Sequence, residues 1–294
     1  MSPSPATAAP LGCLFVVGTP IGNLEDISLR ALRVLREADQ IACEDTRHTR
    51  KLLEHYDIHR PLVSYHAHNE TSRAPELLAA LQHGAKIALV TDAGTPMVSD
   101  PGYHLVVLCV RHAIPVVPVP GPSALLAALC ACGLPADEFL FAGFLPSRTG
   151  ERRRALERLR LEERTIVLYE APHRAADSLA DALEILGDRP ACLAREITKI
   201  HEEFQRGSLA QLAEQARSKP PRGEITLILG PPEAQQAAKL QESAQTLAQR
   251  VEELMRQAHL DRKEALKLAA RERGLTRRAA YDQLLEARER TEED

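Results

Sequence analysis

The chain of 294 residues has no tryptophan, and aromatic residues make up only 3% of it. That scarcity excludes a broad stacking platform of the kind that grips single-stranded nucleic acid without sequence preference. No apolar run approaches the roughly 18 to 20 residues needed to cross a bilayer, because each run stops within a few residues at Gly, Pro or a charge. The six cysteines (Cys13, Cys43, Cys109, Cys130, Cys132 and Cys192) include no C-x-x-C pair for zinc or redox chemistry, and most lie in apolar segments. Buried free thiols in a reducing cytoplasm are therefore expected, with no metal and no membrane partner. A large excess of one charge is missing too: the net charge of −4 excludes indiscriminate coating of nucleic acid but leaves room for a local basic patch. The first ten residues, MSPSPATAAP, carry neither a basic leader nor an apolar run and are expected to be a disordered tail rather than a signal peptide.

What is present is 44% hydrophobic content, enough for two cores at roughly 150 residues per domain. From LFVVG onward, short β-branched runs alternate with helical patterns: a helix near Ser28 to Ala38, QIAC, a helix from Thr46, PLVSY, a helix at Ser72 to Gln82, KIALVT, a helix after Pro101, VVPV, and a helix beginning at Ser123. That rhythm predicts an α/β domain over residues 11–133. The pattern restarts after LPADEF with FLFAGF, a helix from Glu151 to Leu161, TIVLYE, a helix at Ala175 to Leu186, ACLARE, EEFQRG, a helix at Ser208 to Arg217, and EITLIL. Unequal connections there predict a second α/β domain with a mixed sheet over residues 134–230. A linker over 231–243 leads to a small helical domain over 244–294, where Leu247, Val251 and Leu254 recur at helical spacing and Gly274 precedes a last helix from near Thr276.

Three loops stand out. In GTPIGN (Gly18 to Asn23), glycines permit a tight path and Pro20 fixes it at the end of a strand, without the Gly pattern of a dinucleotide fold or the Lys of a P-loop. The loop TDAGTPMVSDPG packs two Pro, two Asp and small hydroxyl residues between strand and helix, more than a simple connector requires. In PVPGPSALLAAL, Ser123 is placed to cap the following helix. All three follow strands of one domain, so they are expected to gather at one edge of its sheet.

These loops resemble those of the tetrapyrrole-methylase superfamily, and the match spans residues 14 to 230. The resemblance implies two α/β domains with S-adenosylmethionine bound in the cleft between them, to which the patterning adds the small C-terminal helical domain. It places Pro20, Thr95, Val98, Ser123, Ala124, Ala171 and Glu224 around that donor, and the second loop's own make-up adds Asp92, Gly94 and Pro96. GTPIGN and GTPMV depart from the loops of tetrapyrrole-modifying members and point away from a porphyrinoid acceptor. The segments GTPIGNLEDIS, CEDTRHTRKLL, YHAHNE, SDPGYHLV and YEAPHR instead resemble the branch that methylates a cytidine ribose 2′-oxygen in 16S rRNA of the small ribosomal subunit.

The remaining motifs bear on the acceptor. Arg47, Arg50 and Lys51 open a helix, where cations oppose the dipole, which suggests a grip on phosphate. His66 and His68 in YHAHNE lack a completing metal-ligand set, and the resemblance makes them, with Asn69, substrate contacts. TIVLYEAPHR clusters Tyr169, Glu170, His173 and Arg174 at a strand end, with Arg174 a further phosphate contact. Seven Lys/Arg against two Glu between Arg262 and Arg278 supply a basic face including Lys263, Lys267, Arg271, Arg277 and Arg278, expected to dock RNA. Glu170, His66 and His173 are the candidate bases. A tetrapyrrole C-methyltransferase and a noncatalytic rRNA-binding assembly factor remain the alternatives, and a crevice made by two small domains suggests a homodimer.

Overall fold

A computed structural model describes residues 12–232, 247–257, 260–272 and 280. The expected tail, most of the linker, and the last helix with Arg277 and Arg278 lie outside the described residues. The first half runs β1 (Cys13–Val17), α1 (Leu29–Glu37), β2 (Gln40–Cys43), α2 (Thr46–His55), β3 (Leu62–Ser64), α3 (Glu70–Gln82), β4 (Lys86–Val90), α4 (Tyr103–Arg111), β5 (Val116–Val119) and α5 (Ala124–Ala131). Its five strands are all parallel, in the order β3-β2-β4-β1-β5.

Helices cover both faces of this sheet, which is why its strands are apolar without alternation. Along β4, Ile87 and Leu89 face a core with Leu14, Leu77, Leu81 and Leu105, while Ala88 and Val90 face another with Val34, Leu35, Ile41 and Leu53. Helix starts follow their caps: Ser28 Oγ accepts the Ala31 N–H at 3.1 Å, and Asp45 Oδ1 accepts that of Arg47 at 2.8 Å. Helix α3 begins two residues before the expected Ser72, because Asn69 shapes the turn ahead of it. Its Oδ1 accepts the His66 N–H at 2.8 Å and its Nδ2 donates to Ser64 O at 3.1 Å.

Because the strands are parallel, the ends of β1, β4 and β5 share one edge, and the three loops meet there. Thr19 and Gly94 exchange two backbone hydrogen bonds, at 2.9 and 3.1 Å, joining the first loop to the second. Gly18 and Gly121 join the first to the third: a Cβ on Gly121 would stand 2.8 Å from the Gly18 carbonyl oxygen, so a side chain there drives the backbones apart.

The second half runs β6 (Phe139–Phe144), α6 (Thr149–Arg158), β7 (Thr165–Glu170), α7 (Ala175–Leu186), β8 (Pro190–Arg195), β9 (Glu203–Ser208), α8 (Leu209–Ser218) and β10 (Ile225–Leu229). The sheet order is β6-β7-β10-β8-β9, mixed as expected, with β6 and β7 parallel and the other neighbours antiparallel. Helices α6, α7 and α8 cover one face through Leu156, Leu179, Leu186 and Leu212, and a buried Arg152 Nε–Asp181 Oδ2 pair at 2.7 Å ties α6 to α7.

The other face is covered from the first half. Ala128, Leu129 and Cys132, in and just after α5, pack with Ile21 of the first loop against Val167, Cys192, Ala194 and Ile228 of the second sheet. Both ends of α5 are also satisfied from that sheet. Ser123 occupies the N-cap position but makes no side-chain cap bond; instead Tyr169 Oη accepts the Leu125 N–H at 3.2 Å. At the far end, Arg206 donates Nη2 to Ala131 O at 2.5 Å and Nε to Cys132 O at 3.2 Å.

The helices Leu247–Gln257 and Arg262–Glu272 pack together through Leu247, Val251, Leu254, Ala265 and Ala269, as their spacing predicts. No helix among the described residues is long and apolar enough to cross a membrane. All six cysteines are free; Cys43, Cys109, Cys132 and Cys192 are buried, whereas Cys130 is exposed on α5. Replacing Arg206 with Ala removes the far cap of α5. Hydrogen bonds from a charged donor contribute about 1.5–3 kcal/mol, so urea denaturation should show a loss of that order, with Arg206→Lys losing less.

Candidate functional site

The loop edge of the first sheet faces one edge of the second. In the second sheet, Glu170 at the end of β7 pairs with Ile225 at the start of β10, and Arg195 at the end of β8 pairs with the same residue. Residues 170–172, 197 and 223–226 therefore stand together opposite the three loops. Between them lies a cavity of about 410 Å³. Ile21, Asp92 to Thr95, Val98 to Asp100, Ser123 and Ala124 line one side, with Phe144, Tyr169 to Pro172, Ile197 and Gly223 to Thr226 on the other. Asn23 N–H donates to Thr198 Oγ1 at 3.1 Å, a further bond across the cleft.

The second loop is wound tightly. Gly94 (φ 82°), Met97 (φ 73°), Ser99 (φ 69°) and Gly102 (φ 137°) all have positive φ, and the two non-glycine residues there store strain of about 1–3 kcal/mol each. The winding brings Thr95 Oγ1 to donate to Pro122 O at 3.3 Å and turns residues 98–100 into the cavity.

The lining has four carboxylates (Asp92, Asp100, Glu170 and Glu224) and no Lys or Arg, beside the apolar Ile21, Val98, Phe144, Ile197 and Ile225. Such walls suit a ligand with an apolar body and positive charge, and they disfavour a phosphate. Burial pushes the Asp100 carboxyl up to about 6, opposed by a Thr91 hydrogen bond and reinforced by the charges of Glu44 and Asp92.

A family model described as Tetrapyrrole (Corrin/Porphyrin) Methylases matches residues 13–213. The chain belongs to the tetrapyrrole methylase family. Proteins named ribosomal RNA small subunit methyltransferase I are similar to this methylase along most of its length. The one from Halalkalibacterium halodurans is 46% identical over 272 residues, covering 92% of this chain and 94% of the relative. The one from Escherichia coli O157:H7 is 46% identical over 278 residues, covering 94% and 95%. Among solved structures, uroporphyrin-III C-methyltransferase from Thermus thermophilus, complexed with S-adenosylhomocysteine, superposes with a TM-score of 0.54 at 23% identity, covering 74% of this chain and 97% of that one. A diphthine synthase superposes at 0.58 with 18% identity, covering 79% and 95%. Both share the fold of two α/β sheets, and the methylase is a methyltransferase by family.

Of the residues expected around the donor, Asp92, Gly94, Thr95, Val98, Ser123, Ala124, Ala171 and Glu224 line the cavity of the methylase. Pro20 and Pro96 are buried behind their loops and are not part of its lining. Ile21, Ser99 and Asp100 belong to the two Gly-Pro loops singled out in the sequence, though not named individually; Phe144, Ile197 and Thr226 were missed, and reach the cavity only through chain folding.

The three expected bases fare differently. Glu170 is 3% exposed and both its oxygens are taken: Oε1 accepts from Ala171 N at 2.7 Å and faces Arg174 Nη2 at 2.8 Å, while Oε2 accepts from Ser178 Oγ at 2.5 Å. It holds the turn after β7, and three donors, one of them a cation, already occupy most of its accepting capacity. His66 and His173 are not part of the lining. His66 follows β3, the strand separated from β4 by β2, and His173 points outward one residue past the lining.

The expected phosphate contacts also divide. Arg174 is committed to Glu170 and to Leu145 O at 3.4 Å, so it is a structural cation. Arg47 pairs with Asp45, Nη2–Oδ2 at 2.7 Å, and its hydrogen bond holds the Asp45 carboxyl well below the usual range, but its side chain is 85% exposed, so this surface pair leaves the guanidinium within reach of a phosphate. Asn69 spends its amide on the turn before α3. Arg50, Lys51, His68, Lys263, Lys267 and Arg271 remain exposed. Glu170→Gln should leave the half-buried Arg174 guanidinium without its counter-charge. Since breaking a buried pair costs about 3–5 kcal/mol, its denaturation midpoint should fall sharply, whereas Glu224→Gln, on an exposed side chain, should be near neutral.

Proposed function

We propose that this methylase transfers a methyl group from S-adenosylmethionine to the ribose 2′-oxygen of a cytidine in 16S rRNA of the small ribosomal subunit. The observation that carries the acceptor is the 46% identity, over more than nine tenths of the chain, to proteins named for that rRNA. The cavity supports the donor: its volume is that of a small-molecule site, its apolar walls suit an adenosine, and its carboxylates suit a sulfonium and an ammonium. When bound, the donor supplies a methyl carbon already activated by positive sulfur. The protein's part is to hold that carbon in line with the ribose oxygen and to exclude water, and such positioning supplies about 7–11 kcal/mol.

Lys263, Lys267 and Arg271 fall at i, i+4 and i+8 on the exposed face of their helix, while Ala265, Ala269 and Ala270 face inward. That stripe, with Arg50, Lys51 and His68 on the first half, is our candidate for the RNA phosphate grip, which Arg277 and Arg278 would extend in sequence. The methylase is further proposed to act in the cytoplasm as a homodimer. Tyr103 and Val110, one face of α4 and 72% and 66% exposed, offer apolar surface for that contact.

Incubation with labelled S-adenosylmethionine and unmethylated small subunits, naked 16S rRNA or a porphyrinoid tests the function. Label is expected in a ribose of the RNA; label in the porphyrinoid alone overturns the acceptor. Replacing Lys263, Lys267 and Arg271 together with Ala should raise KM for the subunit with little change in kcat. It should also make the log KM against log salt slope shallower by about 2, since each phosphate contact contributes about 0.7–0.9.

A further inference from the structure

The mechanism above leaves one group unassigned, the acceptor of the 2′-hydroxyl proton, and the cavity offers four carboxylates. Three are engaged. Glu170 is held by Ala171, Arg174 and Ser178. Glu224 Oε2 lies 3.2 Å from Lys199 Nζ and is drawn to the exposed rim. Asp92 Oδ1 accepts the Asp45 N–H at 3.0 Å.

Asp100 differs. Among the described residues no cation pairs with it, and the strained turn through Met97 and Ser99 carries it into the cavity beside Asp92, Ser99 and Tyr169. Its hydrogen-bond neighbour is Thr91, whose hydroxyl donates to Glu44 Oε2 at 3.1 Å. A hydroxyl has one proton to give, so Thr91 donates to Glu44 or to Asp100 but not to both at once. The charged and titratable groups facing Asp100 are Glu44 from the loop after β2, Asp92 from the loop after β4, and Tyr169 at the end of β7.

We propose that Asp100 is the catalytic base of this methylase, taking the proton of the acceptor ribose hydroxyl as the methyl group is transferred. The inference rests on the RNA 2′-O-methylation proposed above. The 2′-oxygen bonds to the methyl carbon while the carbon–sulfur bond breaks, the electron pair of that bond staying on sulfur, which becomes a neutral thioether. The hydroxyl proton passes to the Asp100 carboxylate and then to solvent, so one proton is released per methyl group. Burial and the two acidic neighbours hold the Asp100 carboxyl near 6, close enough to working pH for a base that must both take and return a proton. The base works only when ionised, so the rate should be flat above that value and fall tenfold per pH unit below it.

The full-length enzyme and its D100N and D100E variants test this by single-turnover methylation of unmethylated small subunits from pH 5 to 8, with S-adenosylhomocysteine affinity measured by calorimetry. D100N is expected to lose about 10²- to 10⁴-fold in rate and its acid limb, to keep its product affinity within about twofold, and to be partly rescued in rate by D100E. A D100N rate within tenfold of the wild type, with the acid limb in place, overturns the proposal. A loss of S-adenosylhomocysteine binding in D100N overturns it as well, because Asp100 then grips the donor. Wild-type enzyme that binds S-adenosylhomocysteine yet never methylates the subunit overturns the RNA reading itself, and the proposal with it.

Discussion

Helix α5 is the member on which the rest of the molecule depends. It is eight residues long, too short to stand alone in water, and both its ends draw partners from the other half. Tyr169 satisfies the Leu125 N–H and Arg206 takes the Ala131 and Cys132 carbonyls, while its buried side chains fill the second sheet's free face. The third loop runs directly into this helix, the first loop touches the third through Gly18 and Gly121, and the second is bonded to the first through Thr19 and Gly94. Fixing α5 therefore fixes all three loops relative to the second sheet. The cavity is the gap left once that attachment is made.

Within the gap, backbone conformation and charge act together. Positive φ at Met97 and Ser99 is unfavourable for residues with side chains, and it is held by the bonds of the neighbouring loops. The result is a turn that presents short side chains and an acid, in walls without a cation. The basic residues named above lie elsewhere, either held in a structural pair, as Arg174 is, or exposed on α2 and the C-terminal helix. A chain of net charge −4 thereby keeps an acidic interior site and basic outer surfaces separate.

Much of this was legible before folding. The strand and helix rhythm, the mixed second sheet and the meeting of three loops at one edge all follow from patterning, since parallel strands end on one side; α7 occupies the expected Ala175–Leu186. What escaped has identifiable causes. The sequence of α5, ALLAALCA, is apolar all round, so no face indicates which sheet it covers. Glu170 and Arg174 stand four apart, a spacing that suggests an ion pair, but their position at a strand end drew attention to chemistry instead. Asp100 sits among turn-forming residues, where an acid signals a bend; only the fold shows it half-buried beside two others.

The cation-free walls of the cavity bear on turnover as well as on binding. If the ligand arrives as a sulfonium, methyl transfer removes one positive charge from it while the surrounding carboxylates stay where they are. The same walls then hold the spent molecule less strongly than the fresh one, and at short range in a partly desolvated site that difference is not small. Discharge of the by-product is thus favoured by the reaction itself.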